Sequence, residues 1–395
     1  MFPIRIGALP AFIVLYAMMY AAFGVASPFW PRFFESRGLT PEQLGILLAI
    51  GTTVRLIAGP LAGRIADLLG ALRAVLAICA TLAAGMAVGL LLVNGFWVLL
   101  LVHMGQAAAL APITTLADAL ALYAAKPSPP RKGFEYGWVR GAASAAFVAG
   151  TLIAGQMLTS IELSVVIWAH AALLLGAVLA AGFVPALKAR SAPDGNDRRS
   201  VVGGVRELLK IPVFRRLVLI AALIYGSHAM HDAFAVIRWN AAGIGSVSTS
   251  VLWSESVAAE VLVFFVIGPP LLNRIGPSGA AAVAAVAGLT RWVVMSQTTA
   301  IAALALVQPL HGLTFALLHL ACMRLIASVV PARLAATAQA IYALGAGLAT
   351  ALLTLVSGQL YGQFGAQAFL AMALLCALAL PLAPGLSRKE SPRPD

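Results

Sequence analysis

The sequence predicts an all-α membrane protein of twelve transmembrane helices in two pseudo-symmetric six-helix bundles, with both termini cytoplasmic. Three observations carry this. Of 395 residues, 61% are hydrophobic and only 10% charged, with mean hydropathy +0.96, whereas soluble domains run near half apolar and a quarter charged. The charge-poor stretches come in lengths that fit pairs of spans, and one hydrophilic segment, roughly Lys188 to Arg216, falls near the middle. A spanning helix needs about 20 apolar residues and short loops add roughly ten, so a chain of this length holds about 12 spans and little else. A soluble enzyme is excluded.

The spans are expected at 7–30, 44–64, 74–93, 97–124, 136–158, 163–186, 214–239, 248–272, 278–297, 299–327, 334–360 and 366–384. The first apolar stretch is long enough to cross, so it reads as helix 1 rather than a cleaved signal. Spans 1 and 2 lie between Gly7 and Arg64. Spans 3 and 4 fill the gap from Arg73 to Lys126, where only His103 and Asp118 ionise, and spans 5 and 6 the gap from Arg140 to Lys188, which holds only Glu162 and His170. Spans 7 and 8 run from Arg216 to Arg274, and spans 9 and 10 from Pro277 to Arg333, with a few internal charges. No charge lies between Arg333 and Arg388, which fits two helices joined by a tight turn near Gly362 to Gly365. The resulting organisation is an N-terminal bundle at 1–187, a linker at 188–213, a C-terminal bundle at 214–386 and a tail at 387–395.

Orientation follows from Lys and Arg placement. The N-terminus, even-numbered loops and tail carry 19 of the 26 basic residues, the other loops only Arg32, Arg37 and Arg238, which places both termini in the cytoplasm. The net charge of +12 is therefore a topology signal, reinforced by attraction to anionic lipid; no nucleic-acid partner follows from it. Cys79, Cys322 and Cys376 sit apart in apolar spans and read as buried packing residues, with no metal spacing.

A duplicated chain should show echoes between its halves. At a shift of 209 residues Tyr16 meets Tyr225, Trp30 meets Trp239, and Gly59-Pro60 meets Gly268-Pro269. A parallel repeat of two six-helix halves is the architecture of the major facilitator superfamily. After span 2 the chain reads Gly63-Arg64-Ile65-Ala66-Asp67-Leu68-Leu69-Gly70-Ala71-Leu72-Arg73, which resembles that superfamily's loop signature, built on Gly63, Asp67, Gly70 and Arg73. The resemblance implies a cytoplasmic conformational latch. The equivalent Asn273-Arg274-Ile275-Gly276 keeps only a fragment.

A narrower resemblance rests on Pro28-Phe29-Trp30 with Gly38-Leu39-Thr40-Pro41, Tyr136-Gly137-Trp138-Val139-Arg140-Gly141, Leu252-Trp253-Ser254 with Glu260-Val261, and Leu310-His311-Gly312-Leu313-Thr314-Phe315 with His319-Leu320 and Met323-Arg324. These look like the 3-phenylpropionic acid transporter family, itself similar to lactose permease and the nucleoside proton symporters. The resemblance implies proton-driven uptake of a small solute, with an aromatic carboxylate as the leading substrate.

An ionisable group at bilayer depth costs about 2.5–3.5 kcal/mol even on the mildest scale, so it should face the interior and have a partner. Glu260 lies about 12 residues into span 8, near mid-membrane at roughly 1.5 Å per residue. Arg291 and His311 lie at comparable depth on spans 9 and 10. Tyr225, His228, His231 and Asp232 share a face of span 7. Proton coupling is expected at Glu260, Asp232 and His311; a permanent Glu260 to Arg291 ion pair that only fixes packing is the alternative. Substrate contacts are expected at Arg291, His228, His319, Trp253 and Tyr20, and Asp118 with Arg140 should form a gate or substrate pair. Glu255 reads as hydrated, His103 and His170 as structural, and Arg55 as reaching headgroups or Asp118. The stripe of Tyr16, Tyr20, Phe23 and Ser27 could stack an aromatic substrate or simply pack.

The four arginines Arg55, Arg140, Arg291 and Arg324 face Asp118, Asp232, Glu255 and Glu260, so an anion entering with a proton is electrostatically natural. A neutral sugar or nucleoside, read by histidines with Gln308 or Gln339, is the alternative solute. Efflux by antiport is the alternative direction, although span 5 lacks the proline of the drug antiporters' glycine run. No nucleophile-base, metal or phosphate-loop pattern appears, so no enzyme activity and no cofactor beyond the proton gradient is expected. The partners expected are a small-molecule substrate, protons and lipid, for a monomer in a bacterial-type inner membrane.

Overall fold

In the computed structural model, residues 7–126, 133–185 and 201–387 are described, and their regular structure is helical throughout. Span 1 (Ala8–Ala26) is followed by a short helix, Trp30–Ser36, in the segment where span 1 was expected to end. Span 2 (Pro41–Leu69) begins three residues before the sequence reading. The reason is a capping box: the Thr40 hydroxyl accepts from the Gln43 backbone N–H at 3.3 Å, the Gln43 side chain accepts from the Thr40 N–H at 3.1 Å, and Pro41 occupies the first helical position. Span 3 is Leu72–Leu92. Span 4 is interrupted between Phe96–Leu110 and Ile113–Ala125, where Pro112 has no N–H for the helix ladder. Spans 5 and 6 are Tyr136–Met157 and Ser164–Ala181.

Span 7 comprises Pro212–Gly226 and His228–Ala241. Among the described residues ten stretches are long and apolar enough to cross a bilayer, two of them of 52 and 55 residues, Ser246–Gln297 and Ala332–Leu386. Such helices would run roughly 80 Å against a hydrocarbon core of about 30 Å, so each is a pair of spans. Gly276 breaks the first at φ 66° and ψ 175°, and Gly365 the second at φ 53°; side-chain-free residues meet these left-handed turns at little cost. Spans 8 and 9 lie before and after Gly276, span 10 within Ile301–Val329, and spans 11 and 12 in Ala335–Phe364 and from Phe369 onward. The turn expected near Gly362 to Gly365 is thus at its C-terminal residue.

The described residues group into two compact units, one from Met1–Asp194 with Val236–Ser254, the other from Gly195–Ala235 with Glu255–Asp395. In the first, span 1 packs on spans 5 and 6 and span 3 on spans 4 and 6; in the second, span 7 packs on span 11 and span 9 on span 12. Small residues set these distances, as expected where lipid removes the hydrophobic drive between helices. A Cβ on Gly150 would strike the Ala21 backbone across the contact of spans 1 and 5. Large apolar side chains such as Ile57, Leu92, Leu179 and Leu306 are exposed, which suits a lipid-facing surface, and exposed Trp97 and Trp138 open spans 4 and 5 as interfacial anchors. Of the expected linker, 188–200 lies outside the described residues, while Val201–Leu209 is helical and its Glu207 pairs with Arg333 at 2.6 Å. Of the expected tail, 388–395 also lies outside them. The three cysteines are unbridged, and no group of metal-ligating side chains occurs among the described residues.

Candidate functional site

Each unit holds a polar cluster within its spans. In the first, Tyr16 and Tyr20 sit one turn apart on span 1 with rings stacked at 6.0 Å. The Tyr16 hydroxyl donates to Asp118 Oδ1 at 2.6 Å, and Tyr136, at the start of span 5, donates to the same oxygen at 2.7 Å. One turn along span 5, Arg140 Nη1 lies 3.8 Å from that oxygen and donates to the Tyr20 hydroxyl at 2.6 Å, its guanidinium 5.3 Å from the Tyr20 ring centre. The Asp118 to Arg140 pair read from the sequence is present. Tyr136 was visible there only as part of a motif, because a tyrosine at a span start signals an interface before it signals a carboxylate partner.

In the second unit the hub is Arg291 on span 9, with 0% exposure. Its Nε and Nη2 donate to Gln308 Oε1 at 3.2 and 2.8 Å, Nη1 meets His311 Nδ1 at 3.2 Å, and Nη2 meets His231 Nε2 at 3.3 Å. The guanidinium lies 4.7 Å from the Trp292 ring centre, a cation–π contact. A guanidinium only donates, so both imidazole nitrogens facing it accept. That fixes the tautomers. His311 carries its proton on Nε2, which lies 3.6 Å from Glu260 Oε2, and His231 carries its proton on Nδ1, 3.2 Å from Asp232 Oδ1. Two arms, Arg291–His311–Glu260 and Arg291–His231–Asp232, therefore radiate from one arginine. Glu260 and Arg291 form no direct ion pair; His311 stands between them.

The helices themselves create this spacing. Spans 8 and 10 each contain a π-helical turn, Val263–Ile267 and Leu313–Leu317, a feature frequent at functional sites. Gly312, next to His311, lies so close to span 8 that a Cβ there would come within 2.7 Å of the Ala259 carbonyl oxygen. This approach sets His311 beside Glu260. Gly312→Val is expected to force the spans apart and lower the melting temperature of the purified protein by several degrees; an unchanged melting temperature would show that the contact tolerates a larger side chain.

The remaining sequence candidates occupy defined places. His228 is buried, its Nε2 donating to the Thr314 hydroxyl at 3.0 Å, since that hydroxyl spends its own proton on the His311 carbonyl at 3.1 Å. His319 Nδ1 meets the Tyr342 hydroxyl at 3.2 Å, which in turn donates to Tyr225 at 3.0 Å, so His319 belongs to a hydrogen-bonded chain between helices. Trp253 is 8% exposed. Glu255 is half-buried, without a hydrogen bond or ion pair among the described residues. Arg324, counted with the intramembrane charges in the sequence, instead donates to Asn273 Oδ1 at 2.5 Å and the Leu272 carbonyl at 3.3 Å, holding the loop after span 8. In the first half's loop, Gly70 turns at φ 61° and Arg73 donates to the Val184 carbonyl at 2.9 Å. Gly63 has open space around it, and exposed Asp67 makes no hydrogen bond or ion pair among the described residues. His231 and Gln308, which complete the Arg291 hub, carried the weakest sequence signal of the cluster.

Apolar spans along the whole described chain, with a charged, hydrogen-bonded cluster inside each of the two units, mark a multi-pass membrane protein. The MFS_1-like family model matches residues 11–371, and the chain belongs to that family. It is 33% identical over 382 residues to the "Probable 3-phenylpropionic acid transporter" of Escherichia coli (strain K12), covering 93% of this chain and 95% of that protein. It is 24% identical to the maltose permease of Geobacillus stearothermophilus, covering 88% and 86%. Among solved structures, the nucleoside transporter NupG superposes with a TM-score of 0.82 at 16% identity, covering 96% of this chain and 98% of that one. That likeness bears on the fold.

Proposed function

We propose that the chain is a proton-coupled symporter that takes up a small organic acid, an aromatic monocarboxylate of the phenylpropionate kind, by alternating access. It works in a bacterial inner membrane with both termini cytoplasmic, as a monomer, with the proton gradient as energy source and no cofactor. The observation that carries this is the Arg291–His311–Glu260 arm, and the name of the E. coli relative supports the substrate class.

The chemistry follows from the tautomers. His311 presents N–H to Glu260 and a lone pair to Arg291. A proton entering His311 must land on Nδ1, the atom Arg291 occupies, so His311 relays a proton to Glu260 only when Arg291 lets go. The relay balances: one proton arrives on Nδ1, one leaves Nε2 for the Glu260 carboxylate. Proton loading and the position of Arg291 are thereby mutually exclusive, which is what coupling a proton to a conformational change requires. Asp232, with 59% of its side chain exposed, and His231 repeat the arrangement as a second arm. In the first unit the neutral Asp118–Arg140 pair with Tyr16, Tyr20 and Tyr136 serves as a gate or aromatic-lined contact for the substrate.

Thermal-shift titration of the purified protein with aromatic acids, aliphatic acids, sugars and nucleosides tests the substrate class. Stabilisation by 3-phenylpropionate above the other classes is expected, since a ligand bound to the native state alone raises stability with its concentration. Stabilisation by a nucleoside or sugar with no effect of any acid would overturn it.

A further inference from the structure

Of the four arginines that the sequence sets against the intramembrane acids, three are engaged. Arg140 is held by Tyr20 and Asp118, Arg291 by Gln308, His311 and His231, and Arg324 by Asn273 and the Leu272 carbonyl. The fourth, Arg55, makes no hydrogen bond or ion pair among the described residues, and its side chain is exposed. It lies midway along span 2, fourteen residues or about 21 Å from Pro41.

The face it occupies is not the lipid face. Gly51 and Gly59, four residues before and after, share its side of the helix, and both lie against span 4: a Cβ on Gly51 would run into the His103 ring, and one on Gly59 would sit 3.7 Å from the Ala111 carbonyl oxygen. Ile57, two residues on from Arg55 and on the opposite side, is 65% exposed, as suits a lipid-facing side chain. Buried Gln106 Oε1 and His103 Nδ1 on span 4 also lack hydrogen-bond partners among the described residues, and Asp118, the first unit's acid at depth, is already taken by Tyr16, Tyr136 and Arg140. A guanidinium at this depth is costly without a counter-charge or water.

We propose that Arg55 is the residue that binds the carboxylate of the transported acid, through paired N–H···O bonds from its planar fork. This deepens the organic-acid reading and rests on it. The interior charges then divide by role. The first unit has one uncompensated positive charge, at Arg55, and receives the anion; the second has Glu260 and Asp232 against Arg291 and receives the proton.

The test compares 3-phenylpropionate with its neutral isostere 3-phenylpropionamide on the purified full-length protein, by calorimetric binding and by thermal shift. In Arg55→Gln the acid is expected to weaken at least fiftyfold and the amide less than threefold, with the ligand-free melting temperature unchanged. Arg55→Lys, which keeps the charge but not the fork, should weaken the acid about tenfold. Equal binding of the acid by Arg55→Gln and wild type overturns the assignment to Arg55, as does equal weakening of acid and amide, the mark of a merely structural role. If the wild type binds no carboxylic acid of an aromatic and aliphatic panel, the organic-acid reading falls and the Arg55 proposal with it.

Discussion

Glu260→Gln is expected to abolish accumulation of substrate against its gradient while leaving exchange of substrate for substrate near the wild-type rate. Gln keeps the length of the side chain and its hydrogen-bonding oxygen towards the His311 N–H, 3.6 Å away in the native protein, but cannot ionise. One proton carried per monoanion makes the cycle electroneutral, so each pH unit across the membrane, about 1.4 kcal/mol, supports about tenfold accumulation. The variant should reach a ratio of about one, because the loaded carrier still reorients but no longer releases a proton. Uptake of radiolabelled substrate into proteoliposomes at a fixed pH difference, followed by counterflow on the same preparation, separates the two behaviours. Tenfold accumulation by Glu260→Gln would move the proton carrier elsewhere, with the Asp232 arm next in line.

Arg291 carries the second large effect. Its buried guanidinium serves Gln308, His311 and His231 at once, a geometry that needs a planar fork of donors. Arg291→Leu leaves these three acceptors unserved, and each buried polar group without a partner costs about 1–3 kcal/mol, so loss of folded protein is the expected outcome. Arg291→Lys is the informative variant. A single ammonium keeps the charge but cannot satisfy all three partners, and the tautomers of His231 and His311 are no longer dictated by it. The lysine variant should fold, bind substrate within a few-fold of wild type, and lose at least tenfold in proton-driven uptake. Full uptake would show that Arg291 contributes charge alone.

Much of this architecture was legible in the sequence because membrane spans are written in composition. Charge gaps located the helices, and the Gly362 to Gly365 turn and the approach of Asp118 to Arg140 follow from depth along a helix. What depth does not specify is azimuth between helices. Glu260, Arg291 and His311 share a level in the sequence, yet only packing at Gly312 decides that His311 intervenes between the other two. The π-helical turns at Val263–Ile267 and Leu313–Leu317 shift the facing of side chains beyond them, and no residue pattern announces them. Arg324 read as intramembrane because its stretch is apolar, but its long side chain reaches the loop residue Asn273, the snorkelling open to arginine near a helix end. The start of span 2 is written locally: Thr40-Pro41-Glu42-Gln43 is a capping box ahead of an apolar run.

If an acid and a proton move together through this protein, substrate alone must drive proton movement. In proteoliposomes without an imposed pH gradient, an inward gradient of 3-phenylpropionate should acidify the lumen, one proton per anion, faster than in protein-free vesicles and in vesicles bearing Glu260→Gln. Protein-dependent entry of the labelled acid, with lumenal pH changing no faster than in those two controls, would contradict it.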